Sequence, residues 1–266
     1  MTLPAFGLGT FRLQGQQVID AVRHGLDLGY RHIDTAQIYG NEAEVGQAIA
    51  DSAIARDALF LTTKIWLDNL SADKLIISLK DSLRKLRTDQ VDLTLIHWPA
   101  PANGPAVADY LPLLLEAKKQ GLTRQIGVSN FTIRHLREAI AVAGREEIAT
   151  NQVELHPFLQ NRALAGFMRE QGIKLTAYMP LAYGKVMQDA TLQAIAARYQ
   201  ANPAQIALAW LLQQGHLVIP SSTKRDHLLA NLAAQSLHLD EADMTAIAGL
   251  DRGERLASPD FAPSWD

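Results

Sequence analysis

Short apolar runs alternate with longer amphipathic stretches along the sequence. The runs are rich in Val, Ile, Leu and Thr and show no strict apolar–polar alternation, as is typical of strands buried on both faces of a parallel sheet. The runs that fit this description span residues 5–9, 31–34, 59–64, 91–97, 125–129, 149–154, 174–178 and 217–220. The pattern therefore predicts eight parallel strands.

The stretches between these runs repeat apolar residues at the three- and four-residue spacing of an amphipathic helix. The clearest helical patterns cover residues 16–28, 71–86, 132–142 and 162–171. We expect Ser71 to cap the second of these helices at its N-terminus. Two more helices are predicted at 189–199 and 203–214, between the last two strands, and another at 242–250 after the eighth strand.

Eight strand–helix steps of about 30 residues, with no linker between them, predict an α/β fold of the (β/α)8 TIM-barrel type. We interpret 1–266 as a single barrel domain with extra helices and a short C-terminal tail, 251–266, which would cover one mouth of the barrel only in part. A doubly wound open sheet uses the same units and is the alternative. The number of strands favours the barrel.

Composition and charge exclude several classes of protein. The 266-residue chain is 48% hydrophobic and 20% charged, which is typical of a globular protein with a large core. A net charge of −3 provides no basic surface for nucleic acid. The absence of cysteine excludes disulfides and thiolate chemistry and fits a reducing compartment. Without a signal peptide or a long apolar run, the sequence predicts a cytoplasmic protein with no membrane partner.

Polar residues of distinct chemistry stand at the ends of three consecutive predicted strands. The stretch DTAQIYGNEAEVG begins with Asp34 at a strand end and places Tyr39 five residues later. Lys64 and His97 end the next two apolar runs. Each residue taken alone also has a structural explanation: a turn, a packed ring, a solvated ammonium or a buried histidine. Because active sites of such barrels lie at the carboxyl ends of the strands, we expect the four side chains to form one site.

These four residue types together suit the protonation of an oxyanion as a carbonyl is reduced. A phenol such as Tyr39 has a pKa near 10 and is a poor proton donor at neutral pH. The Lys64 ammonium would lower that pKa, and Asp34 would hold the ammonium in place. A neutral His97 imidazole could orient the substrate carbonyl toward the phenol. The set predicts general acid catalysis by Tyr39.

Other catalytic sets are less well supported by the sequence. The four residues include no nucleophile paired with a base, and no two histidines have metal-ligand spacing on one predicted helix, so we predict no metal site. After the phenol, Asn41 and Glu44 have the spacing of a capping box, which assigns them to the start of the next helix.

Seven motifs give the chain a close resemblance to the aldo-keto reductases. They are GLGTF at 7–11, DTAxxYxNExxVG at 34–46, TKIW at 63–66, LIHWP at 95–99, IGVSNF at 126–131, NQVE at 151–154 and IPSS at 219–222. Their order and spacing are those of the family, and they span nearly the whole chain. Within the family the sequence is most similar to short bacterial members that act on 2,5-diketo-D-gluconate, of the type B reductase kind.

The resemblance implies a (β/α)8 barrel that uses NADPH and the tetrad Asp34, Tyr39, Lys64 and His97. It implies reduction of small carbonyl compounds to alcohols by hydride transfer. Methylglyoxal and other ketoaldehydes, β-keto esters, diketogluconate-like keto sugars and aldehydes are the expected substrates. We expect a monomer whose partner is the small-molecule carbonyl substrate.

The resemblance also implies a set of cofactor-binding residues. These are Gly9, Thr10, Phe11, Ser129, Asn130, Gln152, Tyr178, Leu181, Ser222, Thr223, Lys224, Arg225, His227 and Asn231. Gly9 belongs to a partial dinucleotide fingerprint that lacks its third glycine, and a partial fingerprint is weak evidence alone. The chain departs from the family at Met179 and Ala182, whose side chains cannot donate hydrogen bonds to a diphosphate.

The part of the family motif that reads the 2′-phosphate is altered in this chain. Ser221 and His227 replace a lysine and an arginine, and Ala230 replaces an adenine-binding glutamate. Lys224 and Arg225 lie in the same loop, at the start of the helix that follows the last predicted strand. A phosphate there would meet both cations and a helix N-terminus. We therefore expect a preference for NADPH that depends on this pair.

The substrate pocket is expected to be walled by Trp66 and Trp98, which follow Lys64 and His97 closely, together with His97 itself. Two other classes of function remain open. One is a catalytically weak regulatory barrel that binds NADPH and a partner protein. The other is an aldolase that forms a Schiff base at Lys64, which would need a lowered lysine pKa.

Overall fold

Eight parallel strands form one sheet whose spatial order follows the order of the chain. The computed structural model describes residues 2–266. The strands are β1 (Leu8–Gly9), β2 (His32–Asp34), β3 (Phe60–Ile65), β4 (Val91–Ile96), β5 (Thr123–Ser129), β6 (Ile148–Glu154), β7 (Lys174–Tyr178) and β8 (Leu217–Val218). The sequential order with parallel pairing confirms the (β/α)8 prediction and is not the order of a doubly wound sheet.

The sheet curls until its first and last strands meet. Phe6 and Val218 form a parallel bridge. The backbone N–H of Gly7 donates to the Val218 carbonyl at 2.9 Å, and that of Gly9 donates to the Pro220 carbonyl at 3.1 Å. The seam between β1 and β8 therefore consists of a few backbone hydrogen bonds between two very short strands.

The helices lie between the strands as the periodicity predicts. They are α1 (Gly15–Leu28), α2 (Glu42–Ala50), α3 (Leu75–Lys85), α4 (Val107–Lys119), α5 (Ile133–Ala143), α6 (Arg162–Gln171), α7 (Ala190–Arg198), α8 (Pro203–Gln213), α9 (Arg225–Ala233) and α10 (Glu241–Ala248). The two helices expected between the last two strands are α7 and α8, and the additional helix near the end is α10, so these predictions are confirmed.

Two predicted side-chain caps do not form. The helix α3 begins at Leu75, and Ser71 lies in the turn before it, where its hydroxyl donates to the Asp73 carboxylate at 2.6 Å. Asn41 occupies the N-cap position of α2, as predicted, but its side chain makes no cap hydrogen bond. The side chain is buried and instead bonds Thr35 in its own loop and two carbonyls of the loop after β1.

The strands are buried in the barrel interior, and accessible polar side chains lie at the strand ends. Every residue of β3 and β4 is buried, so neither strand has a solvent-facing side. Large apolar side chains such as Phe60, Leu61 and Ile65 are fully buried and fill the core. Polar side chains that solvent can approach are therefore found where the strands run into loops. None of the helices in the described residues is both long enough and apolar enough to span a membrane.

Candidate active site

The four predicted catalytic residues come together at the carboxyl end of the barrel. Asp34 is the last residue of β2, Lys64 is the penultimate residue of β3, and His97 directly follows β4. Tyr39 ends a single 3₁₀ turn, Gln37–Tyr39, in the loop after β2. Because β2, β3 and β4 are neighbours in register, their ends bring these side chains to one place.

The Lys64 ammonium is the centre of the site. Its Nζ lies 2.5 Å from the Asp34 carboxylate, 3.0 Å from the Thr35 carbonyl and 3.2 Å from the Tyr39 hydroxyl. Lys64 is fully buried. Burial alone would lower its pKa, but the nearby Asp34 and Tyr39 outweigh burial and raise the pKa of Lys64 above its ordinary value. The lysine is therefore held as a charged ammonium.

Tyr39 is partly exposed, but its hydroxyl reaches down to the buried ammonium. Burial of the hydroxyl raises the pKa of Tyr39, whereas the positive charge of Lys64 lowers it. The net direction is upward, so the expectation of a lowered Tyr39 pKa is wrong in sign for this structure. The physical reason is that loss of solvation, with the negative charge of Asp34 acting in the same direction, outweighs the positive charge of Lys64. The phenol is consequently protonated at neutral pH.

The His97 imidazole is buried against the phenol. Its ring centroid lies 5.6 Å from that of Tyr39 in an edge-on arrangement. Burial, reinforced by Lys64, keeps the pKa of His97 well below its usual range, so the ring is neutral. Its Nδ1 is buried and has no hydrogen-bond partner among the described residues. A neutral imidazole of this kind can orient a bound oxygen without competing for the proton.

A chain of hydrogen bonds connects the tetrad to residues predicted to hold nicotinamide. The Tyr178 hydroxyl donates to Asn130 Oδ1 at 2.8 Å, and Asn130 Nδ2 donates to Ser129 Oγ at 3.2 Å. Ser129 Oγ donates to the Gln152 carbonyl at 2.7 Å. Gln152 Nε2 donates to the second oxygen of the Asp34 carboxylate at 2.8 Å. Asn130 adopts a left-handed backbone with φ of 60°, which turns its side chain into this network.

The predicted cofactor-binding residues at the end of β1 contact either the backbone of neighbouring strands or the Tyr39 ring. A Cβ at Gly9 would lie 2.7 Å from the Ile219 carbonyl oxygen, so only glycine allows this approach of β1 to the β8 loop. Thr10 is buried, and its hydroxyl donates to the Asp34 carbonyl at 2.9 Å. Phe11 is 42% exposed and packs on the Tyr39 ring with centroids 5.1 Å apart.

The predicted phosphate-reading loop lies on the surface beside the seam of the barrel. The exposed Lys224 directly precedes α9, and its backbone N–H donates to the Ser222 hydroxyl at 3.1 Å. Thr223, Arg225 and His227 are exposed as well. After the neighbouring strand β7, the partly buried Leu181 leads into the 3₁₀ segment Ala182–Gln188. Asn231 is buried on the inner face of α9, one helical turn beyond His227.

The predicted wall of the substrate pocket includes aromatic residues from the C-terminal tail. Trp66 lies 5.4 Å from the His97 ring and 5.7 Å from Phe261. Trp98 contacts Phe261 at 5.5 Å and Trp265 at 6.0 Å. Because the tail has no periodicity, Phe261 and Trp265 could not be assigned to the pocket wall from the sequence.

Two more polar residues lie near the site. The sequence assigned Asn41 to a helix cap and assigned no role to Glu154. Asn41 accepts from Thr35 Oγ1 at 2.7 Å and donates to the Thr10 and Leu13 carbonyls, each at 2.9 Å. It therefore joins the loops after β1 and β2 rather than capping α2. Glu154, the last residue of β6, is fully buried. Its position at a strand end is the same signal that pointed to Asp34.

The barrel and the cluster of Tyr39, Lys64, Asp34 and His97 define an oxidoreductase of the carbonyl-reducing type. The model of the aldo/keto reductase family matches residues 5–252, and the chain belongs to that family.

Curated relatives match the chain over its full length. It is 60% identical to the methylglyoxal reductase DkgB of Yersinia pestis and 58% identical to that of Salmonella typhimurium, in both cases over 100% of each chain. Solved structures are similar as well. A candidate 2,5-diketo-D-gluconic acid reductase B superimposes with a TM-score of 0.95 and 43% identity, covering 99% of this chain and 94% of the other. An aldo-keto reductase from a Medee basin deep-sea metagenome library superimposes with a TM-score of 0.92 and 35% identity, covering 99% of this chain and 97% of the other.

Proposed function

We propose that this protein reduces small carbonyl compounds to alcohols with NADPH, and that Tyr39 is the general acid. The observation that carries the proposal is the position of Lys64 Nζ, which contacts both the Asp34 carboxylate and the Tyr39 hydroxyl. The similarity to methylglyoxal reductases supports ketoaldehydes as substrates. β-Keto esters, diketogluconate-like keto sugars and simple aldehydes have the same reacting group and belong to the proposed range.

Each residue of the site has a separate role in protonating the carbonyl oxygen. A reduced nicotinamide, when bound, would supply the hydride that the carbonyl carbon accepts. The His97 ring orients the carbonyl oxygen toward the phenol. The Tyr39 O–H bond breaks, its proton goes to that oxygen, and the alcohol is complete. The phenolate that remains lies 3.2 Å from the Lys64 ammonium, whose charge stabilises it.

The side chains present fit a nicotinamide cofactor. Tyr178 is partly exposed and offers a ring on which a flat heterocycle can stack, and its hydroxyl is fixed by Asn130. Asn130 and Gln152 provide amide groups of the kind that hold a carboxamide. Lys224 and Arg225 at the N-terminus of α9 would meet the 2′-phosphate of NADPH. A cytoplasmic location and a monomeric state remain part of the proposal.

The electrostatics of the site favour reduction over the two alternatives. A Schiff-base lysine must lose its proton, yet Asp34 and Tyr39 raise the pKa of Lys64 above its ordinary value. A regulatory barrel has no need of a proton donor, whereas here the phenol, the ammonium and the neutral imidazole are in contact. Both observations support catalysis of carbonyl reduction.

Replacement of Tyr39 by Phe tests the proposal. The change removes the acid, so we expect kcat for methylglyoxal to fall about 10²–10⁴-fold, the usual contribution of general acid catalysis. The affinity for NADPH, measured by nucleotide fluorescence, should stay unchanged. Tyr199→Phe, which removes a hydroxyl that bonds Asp243 and none of the tetrad, is the matched control and should keep its activity. Turnover by Tyr39→Phe within a few-fold of the wild type would refute the assignment.

The substrate range is measured by the loss of NADPH absorbance with a panel of carbonyls. Methylglyoxal, a β-keto ester, diketogluconate and an aromatic aldehyde represent the proposed classes, and a steroid ketone represents a large substrate. Because aromatic rings of the tail close over Trp66 and Trp98, we expect higher kcat/KM for the small polar carbonyls. A lower KM for the steroid ketone than for methylglyoxal would contradict a small pocket.

A further inference from the structure

A buried carboxylate outside the tetrad holds the C-terminal tail. Glu154 is fully buried at the end of β6. One of its oxygens accepts from the backbone N–H of Leu256 at 2.7 Å and from His156 Nε2 at 2.9 Å. The other oxygen accepts from the backbone N–H of Ala257 at 2.8 Å. Two successive amides of the tail therefore end on one carboxylate inside the barrel mouth.

The same strand end is connected to the tail by a second path. The Glu154 backbone carbonyl accepts from Asn161 Nδ2 at 2.6 Å, and Asn161 Oδ1 accepts from Arg255 at 3.0 Å. The Arg255 guanidinium lies 3.6 Å from the centre of the Trp265 ring. Arg255 and Leu256 are consecutive, so the tail is held at two adjacent residues before it turns toward the pocket.

The held segment leads directly to the aromatic wall. Phe261 contacts Trp66 and Trp98 at 5.7 and 5.5 Å, and Trp66 in turn contacts the His97 ring at 5.4 Å. At the far end, the Asp266 carboxylate accepts from the backbone N–H of Ile133 at 2.8 Å. Between these two attachments the tail can place its rings against the pocket only in a narrow range of positions.

We propose that Glu154 is a specificity-determining positioning residue, which fixes the tail at Leu256 and Ala257 and thereby sets how Phe261 and Trp265 close the substrate pocket. Glu154 acts through the tail and does not touch the reacting atoms. The proposal rests on the proposed carbonyl reduction for its consequence, but the attachment itself can be measured without turnover. Two hydrogen bonds from neutral amides to a carboxylate are stronger than ordinary ones, and a buried acceptor has no water to replace them.

The test uses Glu154→Gln in the full-length protein. Glutamine keeps the shape but presents an N–H₂ group to one of the two tail amides, so one attachment is lost. We expect the preference in kcat/KM for methylglyoxal over 4-nitrobenzaldehyde to fall about tenfold, mainly through KM, as expected when binding contacts alone are altered. The kcat for methylglyoxal and the affinity for NADPH should change less than about twofold. Glu170→Gln, the same change on the exposed face of α6, is the matched control.

Hydrogen exchange read by mass spectrometry measures the attachment directly. In Glu154→Gln at least one of the Leu256 and Ala257 amides should exchange at least about tenfold faster, while peptides from β3 and β4 keep their protection. Loss of protection throughout the protein would mean that the variant is unfolded. In that event the Phe261→Ala/Trp265→Ala variant tests the proposal instead, because it changes the tail side of the pocket wall and leaves the core intact.

The combined variants separate positioning from a general structural role. If Glu154 acts through the tail, Glu154→Gln should change selectivity little further in the Phe261→Ala/Trp265→Ala background. An undiminished further loss in that background, wild-type selectivity in a folded Glu154→Gln, or no selectivity change in Phe261→Ala/Trp265→Ala would each overturn the proposal. A wild-type protein that reduces no carbonyl would instead overturn the proposed function. Unchanged exchange at Leu256 and Ala257 would overturn the attachment itself.

Discussion

Lys64 has three oxygen partners and no contact with solvent, so its charge depends wholly on its neighbours. The Asp34 carboxylate supplies the negative charge that makes a buried ammonium tolerable. The Tyr39 phenol, in turn, feels a positive charge only while the other two residues remain paired. The contribution of the lysine to catalysis is therefore a property of the pair.

This dependence predicts that losses at the two positions do not add. Asp34→Asn and Lys64→Met should each reduce kcat strongly, and the double variant should be about as impaired as the worse single variant. The comparison is made by steady-state kinetics with NADPH and methylglyoxal. Lys64→Met combined with the remote Glu170→Gln provides the additive reference. A double variant as poor as the product of the two single losses would show independent roles.

His32 gives the molecule a dependence on pH outside the active site. The ring is buried beside Phe60, and burial lowers the pKa of His32 to about 4 from 6.5, although the Asp34 charge acts in the opposite direction. Above pH 6.5 the ring is neutral in both the folded and unfolded protein. As the pH falls from 6.5 to about 4, His32 binds a proton in the unfolded chain but stays neutral in the folded protein. The free energy of unfolding therefore decreases over that pH range.

The variant His32→Gln, which can still bond Thr62, should therefore lose less stability in acid than the wild type. The difference in the free energy of unfolding between pH 7 and pH 4 should shrink by up to about 3 kcal/mol. Urea unfolding at a series of pH values measures it. Some acid sensitivity should persist, because burial also lowers the pKa of His216 to about 4. The exposed His238→Gln is the control, and an identical pH profile for His32→Gln and the wild type would contradict the prediction.

At the scale of the elements, how well the sequence located a strand depended on its burial. The runs predicted at 91–97 and 149–154 differ by one residue from β4 and β6, because both strands are buried along almost their whole length and contain few solvent-facing positions that would blur their ends. The first and last strands were predicted at 5–9 and 217–220 but contain only two residues each. At the seam the pairing consists of one bridge and single backbone hydrogen bonds, and no local pattern in the sequence marks where such short pairing ends.

The start of a helix was harder to predict than its body. Ser71 and Asn41 have the residue types of N-caps, yet each side chain has a different partner in the folded protein. A partner such as the Thr10 carbonyl is contributed by another loop, so the choice between cap and tertiary bond cannot be read from neighbours in sequence.

The N-terminus of α9 is the element on which the choice of nicotinamide should depend. Lys224 and Arg225 are exposed there and form no ion pair with any residue between 2 and 266. Charge-assisted hydrogen bonds are worth about 1.5–3 kcal/mol each, so we expect NADPH to be preferred over NADH by about 10²-fold or more. The Lys224→Ala/Arg225→Ala variant should lose most of that preference in kcat/KM.

A control for this variant is Lys174→Ala, an exposed lysine at the other end of the barrel, at the start of β7. It changes the net charge by one and should leave the ratio of NADPH to NADH unaltered. A wild-type ratio near one would show that the 2′-phosphate is not read. A ratio that survives the double substitution would place the reading elsewhere.

At the scale of the whole molecule, the sequence indicated the tetrad but not the tail. The tetrad could be predicted because parallel strands deliver their ends to one edge, so three strand ends in a row already imply proximity. The tail could not be predicted, because its position is set by Glu154, which lies 102 residues away from Leu256 in the chain. Contacts of such separation leave no trace in local periodicity.

The seam between β1 and β8 has a consequence for how the protein is made. Phe6 and Val218 lie at nearly opposite ends of the chain, so their bridge cannot form until almost all of the protein has left the ribosome. Until then we expect the nascent chain to hold an open parallel sheet with two unpaired edges, and such edges invite pairing with other chains. Closing the seam removes both edges at once. The shortest strands of the barrel are thus the ones that end its exposure to aggregation during synthesis.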